Sequence, residues 1–293
     1  MKNKKQCSIA IIGQPNVGKS TLINQIFNKK ISIVSYKPQT TRNSIMALYE
    51  DNKIRILFVD TPGFHKPKTK LDSFLNSQIK TSLKNVTFVL FLIDSCKGFT
   101  KDDEILLNII KSYTISKIVY VLTKIDLNKT INLSPYHEKL KTNNLILINS
   151  FNKEHINNLI NLIYSLIDND DFISLNPNID NDDFLIKEII REQSLFLLKY
   201  EVPHSLAVEI VNRKYDTEKR LLTINANLIV EKKSQKQIVI GKNGEMIKKI
   251  GTKSRHELLR IFDCKIMLKL FVKVKLKWRN DENALTSLGY FNK

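Results

Sequence analysis

The stretch Gly13-Gln14-Pro15-Asn16-Val17-Gly18-Lys19-Ser20 limits what this chain can fold into more than any other. It satisfies G-x4-G-K-[ST] in full, directly after the β-branched run at 8–12 and at the start of a helix-patterned segment at 19–27. Such a loop works only between a strand and a helix. Its glycines let backbone N–H groups curl around phosphates, and the helix N-terminus adds the positive end of its dipole. Lys19 is then expected against the β and γ phosphates and the Ser20 hydroxyl on Mg²⁺, with Thr21 in the same turn. Further apolar runs at 54–59, 88–93, 118–122 and 145–148 read as strands, and segments such as 103–111 and 156–167 read as helices. Strands apolar on both faces and separated by helices predict an α/β domain, a mostly parallel sheet with helices on both faces. Ligands of such sheets bind at the carboxyl ends of the strands.

Three more segments fall at those ends. Asp60-Thr61-Pro62-Gly63 follows the run at 54–59, so Asp60 can reach Mg²⁺ through water and Gly63 can offer its N–H to a γ-phosphate. Thr123-Lys124-Ile125-Asp126 follows the run at 118–122. A carboxylate at Asp126 accepts from guanine N1–H and the exocyclic amine; adenine lacks that pair of donors, so the site selects guanine. Gln39-Thr40-Thr41-Arg42 lies in the long connection after the first helix. Either Thr40 or Thr41 can complete a Mg²⁺ shell when a γ-phosphate is present; Thr41 joins Ser20 and Asp60 in the candidate metal set.

Residues 168–183 are acidic and Asn-rich around Pro177, with no periodicity, and read as a linker. The expected organisation is a nucleotide domain at 1–168, a linker with a connecting helix at 169–199, and a second domain with its tail at 200–293. In the second domain a helix is expected at 184–198, strands at 205–211, 221–231 and 265–274, and two short helices near 245–250 and 254–262. The net charge of +18 is unevenly spread: residues 200–293 hold 20 Lys and Arg against 10 Asp and Glu. Within that basic half, Gly241-Lys242-Asn243-Gly244 puts two glycines at a helix junction, where backbone can approach a nucleic-acid strand and Lys242 can face phosphate. Lys248, Lys249, Lys253 and Arg255 add positive charge nearby. Three widely spaced cysteines give no disulfide framework or metal-ligand spacing. The apolar run after the N-terminal lysines is too short for a signal peptide, and a cytoplasmic protein is expected.

In this order GQPNVGKS, QTTR, DTPG and TKID resemble the G1 to G4 motifs of translation-factor-class GTPases. Together with the GXXG loop and the closing run Val272-Lys273-Val274-Lys275, Trp278 and Ser287-Leu288-Gly289-Tyr290, the chain is similar to the Era family of ribosome-associated bacterial GTPases. The resemblance implies a C-terminal α+β domain of the type II KH class and GTP hydrolysis to GDP. It also implies binding to the 3′ end of 16S rRNA in small-subunit (30S) assembly and rRNA processing, with Trp278 among the RNA-contacting residues. A monomer is expected, with peripheral contact at the inner membrane in some members. The sequence departs from the family in two places. Thr123 stands where an asparagine is usual, and Asn149-Ser150-Phe151 replaces the usual Ser-Ala of the fifth motif, leaving Ser150 as the matching base-contact residue. Phe64 occupies the place of a water-orienting glutamine. GTPases with an apolar residue there often use K⁺ held partly by a P-loop asparagine, and Asn16 matches it. The alternatives are a KH-type module whose nucleotide domain only senses GTP and, more distantly, an ATP-using P-loop enzyme. Intact Lys19, Ser20, Asp60 and Gly63 favour hydrolysis, and Asp126 disfavours ATP.

Overall fold

The computed structural model describes residues 4–35, 37, 40–84, 86–113, 115, 117–128, 130–142, 145–168 and 182–290; Gln39 and the stretch 169–181, read as linker, lie outside these described residues. Residues up to 168, apart from 69–71, form one compact unit, and those from 182 onward form a second together with 69–71.

The first unit runs β1 (Lys5–Gly13), α1 (Lys19–Phe27), β2 (Ile45–Glu50), β3 (Ile54–Asp60), α2 (Lys70–Lys84), β4 (Phe88–Asp94), α3 (Lys101–Lys111), β5 (Lys117–Thr123), α4 (Ser134–Leu140), β6 (Leu145–Ile148) and α5 (Lys153–Leu166). The sheet order is β2-β3-β1-β4-β5-β6. All neighbours pair in parallel except β2 with β3. The two-residue alternation of β1 divides the core. Cys7, Ile9 and Ile11 pack with Leu22 of α1 and Leu159 and Ile163 of α5. Ala10 and Ile12 pack with Ile79 of α2 and Leu106 and Ile110 of α3 on the other face. Central β4 is buried along its whole length, which is why it reads as an unbroken apolar run. Helix starts are fixed locally: Thr100 and Asp103 form a capping box at α3, and Asn152 accepts from Glu154 N–H at α5.

The second unit contains α6 (Asp182–Leu197), β7 (Ala207–Asp216), β8 (Leu221–Val230), α7 (Lys233–Ile240), α8 (Glu245–Leu259), β9 (Lys265–Val274) and α9 (Glu282–Ser287). Its sheet has the order β7-β8-β9, with β7 antiparallel and β9 parallel to β8. Alternate residues of β8, from Leu222 through Ile224 and Ala226 to Leu228, face a core shared with Ile186, Ile189 and Ile190 of α6, Val239 of α7 and Ile250 and Leu258 of α8. Helix α6, grouped above with the linker, therefore supplies part of this core. The two short helices expected at 245–262 are one helix. Gly251 does not break it, and the helix runs through that position from Glu245 to Leu259.

Trp278 corrects the sequence reading. Its side chain is fully buried, its indole N–H donates to the Ser205 carbonyl at 2.8 Å, and its ring stacks on Tyr290 with centroids 6.0 Å apart. A ring with both faces and its donor engaged in packing has no surface left for a base. Replacing Trp278 with alanine is expected to cost the second unit about 3–5 kcal/mol, measured by urea denaturation followed by circular dichroism. A cost below about 1 kcal/mol would mean that the indole is not a core side chain.

Candidate functional site

β1 delivers the chain to Gly13, whose missing side chain matters: a Cβ there would lie 2.6 Å from the Leu92 carbonyl oxygen. The loop turns through Asn16 (φ 63°) and Gly18 (φ 103°) into α1, which starts with no side-chain cap, so its first N–H groups are open to an anion. Val17 is anchored in the core, and Gln14 donates to Thr100 Oγ1 at 2.6 Å. Pro15, Asn16, Gly18, Lys19, Ser20 and Thr21 line a cleft of about 260 Å³ together with Thr40, Thr41, Gly63 and Lys124. The four sequence motifs thus converge on one cavity.

Two charged side chains beneath the cleft are buried. Lys19 is 6% exposed, and its Nζ donates to the carbonyls of Gly13 (3.1 Å) and Gln14 (2.8 Å). Burial pushes its ammonium down to about 8, with Asp60 opposing the shift. Asp60 lies at the end of β3, beside Ile11 of β1, and is fully buried. Burial raises its pKa, opposed by Lys19 and by the hydroxyls of Ser20, Ser32 and Thr41. Ser20 Oγ donates to Asp60 Oδ2 at 2.8 Å and lies 2.9 Å from Thr41 Oγ1. Asp60 Oδ1, also buried, has no hydrogen-bond partner among the described residues. The two threonines differ in their surroundings. Thr41 is buried against Ser20, whereas Thr40 Oγ1 donates to the Lys37 carbonyl at 2.6 Å.

Thr61 Oγ1 donates to the Ile11 carbonyl (2.7 Å), and Pro62 is buried beside it. Gly63 presses on the P-loop, since a Cβ there would sit 2.7 Å from Pro15 Cα. Phe64 is buried in the core against α2 and α3, and its N–H donates to the Gly13 carbonyl (3.2 Å). His65 was not singled out from sequence. Its Nδ1 is 3.1 Å from the Gly63 carbonyl and its Nε2 is 3.2 Å from Asp72 Oδ1, so it clasps the segment after β3 to α2.

At the end of β5, Thr123 is fully buried. Its hydroxyl is 2.7 Å from the Val17 carbonyl and 3.2 Å from that of Ile93, so one donor ties β5 to the P-loop and β4. Lys124 (φ 59°) pairs with Asp94 Oδ2 at 2.7 Å. Asp94 was also missed; its one sequence signal is a carboxylate ending an otherwise apolar strand. Ile125 is half-buried and Asp126 exposed, and neither is among the residues that line the cleft. Ser150 is buried, while Asn149 Oδ1 accepts from Phe151 N–H at 2.9 Å. The Asx turn therefore fixes the loop that the departed fifth motif occupies.

In the second unit Gly241 (φ 74°), Asn243 (φ 52°) and Gly244 (φ 78°) make the turn between α7 and α8. A Cβ on Gly241 would meet Met246 Cβ at 2.7 Å, whereas Gly244 faces open space and Lys242 is exposed. Beside the turn, Ile247, Lys248, Gly251 and Arg255 of α8 and Leu268 and Leu270 of β9 line a groove of about 370 Å³. Lys249 and Lys253 are exposed but point elsewhere. At about 100° per residue they lie across the helix from that stripe, so the expected basic cluster is split.

Residues 8–124 match the family model described as 50S ribosome-binding GTPase, and residues 201–279 match that of the KH domain. GTPase Era of Ureaplasma urealyticum serovar 10 is 42% identical over 295 residues, covering 98% of each chain. That of Clostridium kluyveri is 40% identical over 292 residues, covering 96% of this chain and 98% of its own. The chain belongs to the Era family of GTPases. It accordingly binds guanine nucleotide and hydrolyses GTP, and its second unit is a KH domain. Two solved Era structures, each 32% identical and covering 98% of this chain and 99% of their own, share its fold. One, in complex with MgGDPNP and nucleotides 1506–1542 of 16S ribosomal RNA, superposes with a TM-score of 0.90. The other, a variant of Aquifex aeolicus Era bound to GDP·AlF4⁻, superposes with 0.89. Among the described residues, no helix is long and apolar enough to cross a membrane.

The His65 clasp has a pH signature. The Asp72 hydrogen bond is the main cause that raises the His65 pKa above its ordinary value; burial and Lys68 work against it. Its contribution to stability is therefore complete below the unfolded pKa and lost as pH rises through the folded one. Asp72→Asn keeps an acceptor for the Lys68 N–H but removes the charge. The variant is expected to be less stable to unfolding than the parent at pH 6 by up to about 1 kcal/mol, and the gap should close by pH 9. A gap that does not change with pH would show that the pair carries no charge.

Proposed function

We propose that this chain is a GTP-driven switch that binds the 3′ end of 16S rRNA through its KH domain during assembly of the small ribosomal subunit. The observation that carries this reading is the fit to an Era protein holding both ligands at once, MgGDPNP and a 16S rRNA segment, at a TM-score of 0.90 over 98% of the chain. In this reading Gly241, Lys242, Asn243 and Gly244 pass the RNA backbone, and Lys248 holds phosphate at the groove.

Mg²⁺ would be held by Ser20, Thr41 and Asp60, and the unpartnered buried Oδ1 of Asp60 supports that assignment. The ion supplies charge neutralisation on the phosphate oxygens. The chain's own residues do the rest. Backbone N–H groups from Gly13 to Ser20 cradle the phosphates. Lys19 exchanges its two carbonyl acceptors for phosphate oxygens, and Gly63 N–H registers the γ-phosphate. Asp126 selects guanine under the reach of Lys124, and Ser150 offers backbone to the base. Thr41 lets go of the site after hydrolysis, which gives the switch its second state.

Phe64 cannot polarise water, and its place in the core keeps it away from the γ-phosphate. The proposal assigns the compensating charge to K⁺, held in part by Asn16. GTP turnover by the full chain should then be faster in K⁺ than in Na⁺ buffer, and Asn16→Ala should abolish the difference. Equal rates in the two salts would remove the cation from the mechanism. The proposal as a whole is tested by turnover with and without an RNA ending in the small-subunit 3′ sequence. Acceleration by that RNA and not by a scrambled one is expected. The same rate with either RNA would separate the KH domain from the switch.

A further inference from the structure

The KH-domain sheet has two faces, and the helices cover only one. Strand β9 is an edge strand, and its even-numbered residues face α8, where Leu268 and Leu270 line the groove beside the GXXG turn. Its odd-numbered residues point the other way and read Lys265, Met267, Lys269, Phe271, Lys273, all exposed. Phe271 is 55% exposed and Met267 44%. Two apolar side chains left in water between three lysines do not serve the fold, because the core they could join lies behind the sheet.

The neighbouring strands complete the surface. Register sets Thr223 beside Met267 and Asn225 beside Lys269, so the central strand offers short polar groups, both donors and acceptors. Lys214 of β7 lies across from Thr223 and is exposed. The carboxylates on this face are already engaged: Glu209 accepts from Asn227 at 2.7 Å, and Asp216 lies 3.7 Å from Lys219. None of Lys214, Lys265, Lys269 and Lys273 is in an ion pair among the described residues. The net field is positive, and an anionic partner with flat apolar rings would complement it.

We infer that this open face is a second RNA-contact surface. It takes single-stranded RNA whose phosphates lie on the lysines and whose bases stack on Phe271 and Met267. Alternating cations and apolar groups along one strand suit a polymer that alternates phosphate and base. A GXXG loop clamps only about four nucleotides. The groove and the open face share β9, so a strand leaving the groove around this edge meets the lysines directly. The inference rests on the RNA-binding reading proposed above.

The test uses the full chain and two fluorescein-labelled RNAs from the small-subunit 3′ end, one of about four nucleotides and one of about sixteen. The double variant K269A/F271A changes only exposed side chains, and buried Trp278 reports by its fluorescence that the domain is folded. The variant should bind the long RNA about tenfold more weakly and the short RNA as the parent does. The slope of log affinity against log salt for the long RNA should fall in magnitude by about 0.7. Unchanged affinity and slope for the long RNA would overturn this inference alone and leave the face to a protein partner. A parent chain that binds neither RNA would overturn the RNA-binding reading itself, and this inference with it.

Discussion

Lys19 and Asp60 carry opposite charges with almost no access to water, and the parallel pairing of β1 with β3 brings them together. Neither charge is comfortable: burial pushes the lysine down and the carboxylate up, and each partly relieves the other. Such a pair is not a device for stability, since two apolar groups of the same volume would serve the fold at least as well. It holds a site ready for a ligand that brings negative charge to the lysine and a cation to the carboxylate. The sheet order, the αL turns of the P-loop and the contact of Gly63 with Pro15 all keep these two groups in register.

Glycine use shows where the backbone is under the tightest demand. The whole chain has 8 glycines, and five of them, Gly13, Gly18, Gly63, Gly241 and Gly244, stand in three loops of the candidate sites. Of these, Gly18, Gly241 and Gly244 have positive φ, and Gly13, Gly63 and Gly241 sit where a Cβ would clash. A Lys-, Ile- and Asn-rich composition supplies few glycines, and these five mark positions where an L side chain would be strained or would clash.

Much of this was legible in the sequence because the nucleotide motifs are short, ordered and tied to strand ends. The parallel strands read correctly as apolar runs buried on both faces. What failed to read had physical causes. Strand β2 is a half-buried antiparallel edge strand that follows the switch loop without a strong turn signal, and it was missed. Helix α8 carries Gly251 in its middle and read as two pieces. Trp278 was placed among the RNA-contacting residues by the family resemblance alone, yet its indole N–H donates to the Ser205 carbonyl inside the domain. Thr123 looked like a weakness, but its hydroxyl reaches the Val17 carbonyl. Side-chain partners far apart in sequence, such as Asp94 with Lys124 and Asp72 with His65, leave no local pattern to read.

The central claim is that nucleotide and RNA act on one equilibrium, and the most direct measurement is the affinity of the full chain for the small-subunit 3′-end RNA in two nucleotide states. With a non-hydrolysable GTP analogue and Mg²⁺ bound, the RNA should bind more tightly than with GDP. By linkage the RNA must then favour the analogue over GDP by the same factor. Equal RNA affinities in the two states would contradict the account, leaving a GTPase and an RNA-binding domain joined in one chain without a switch between them.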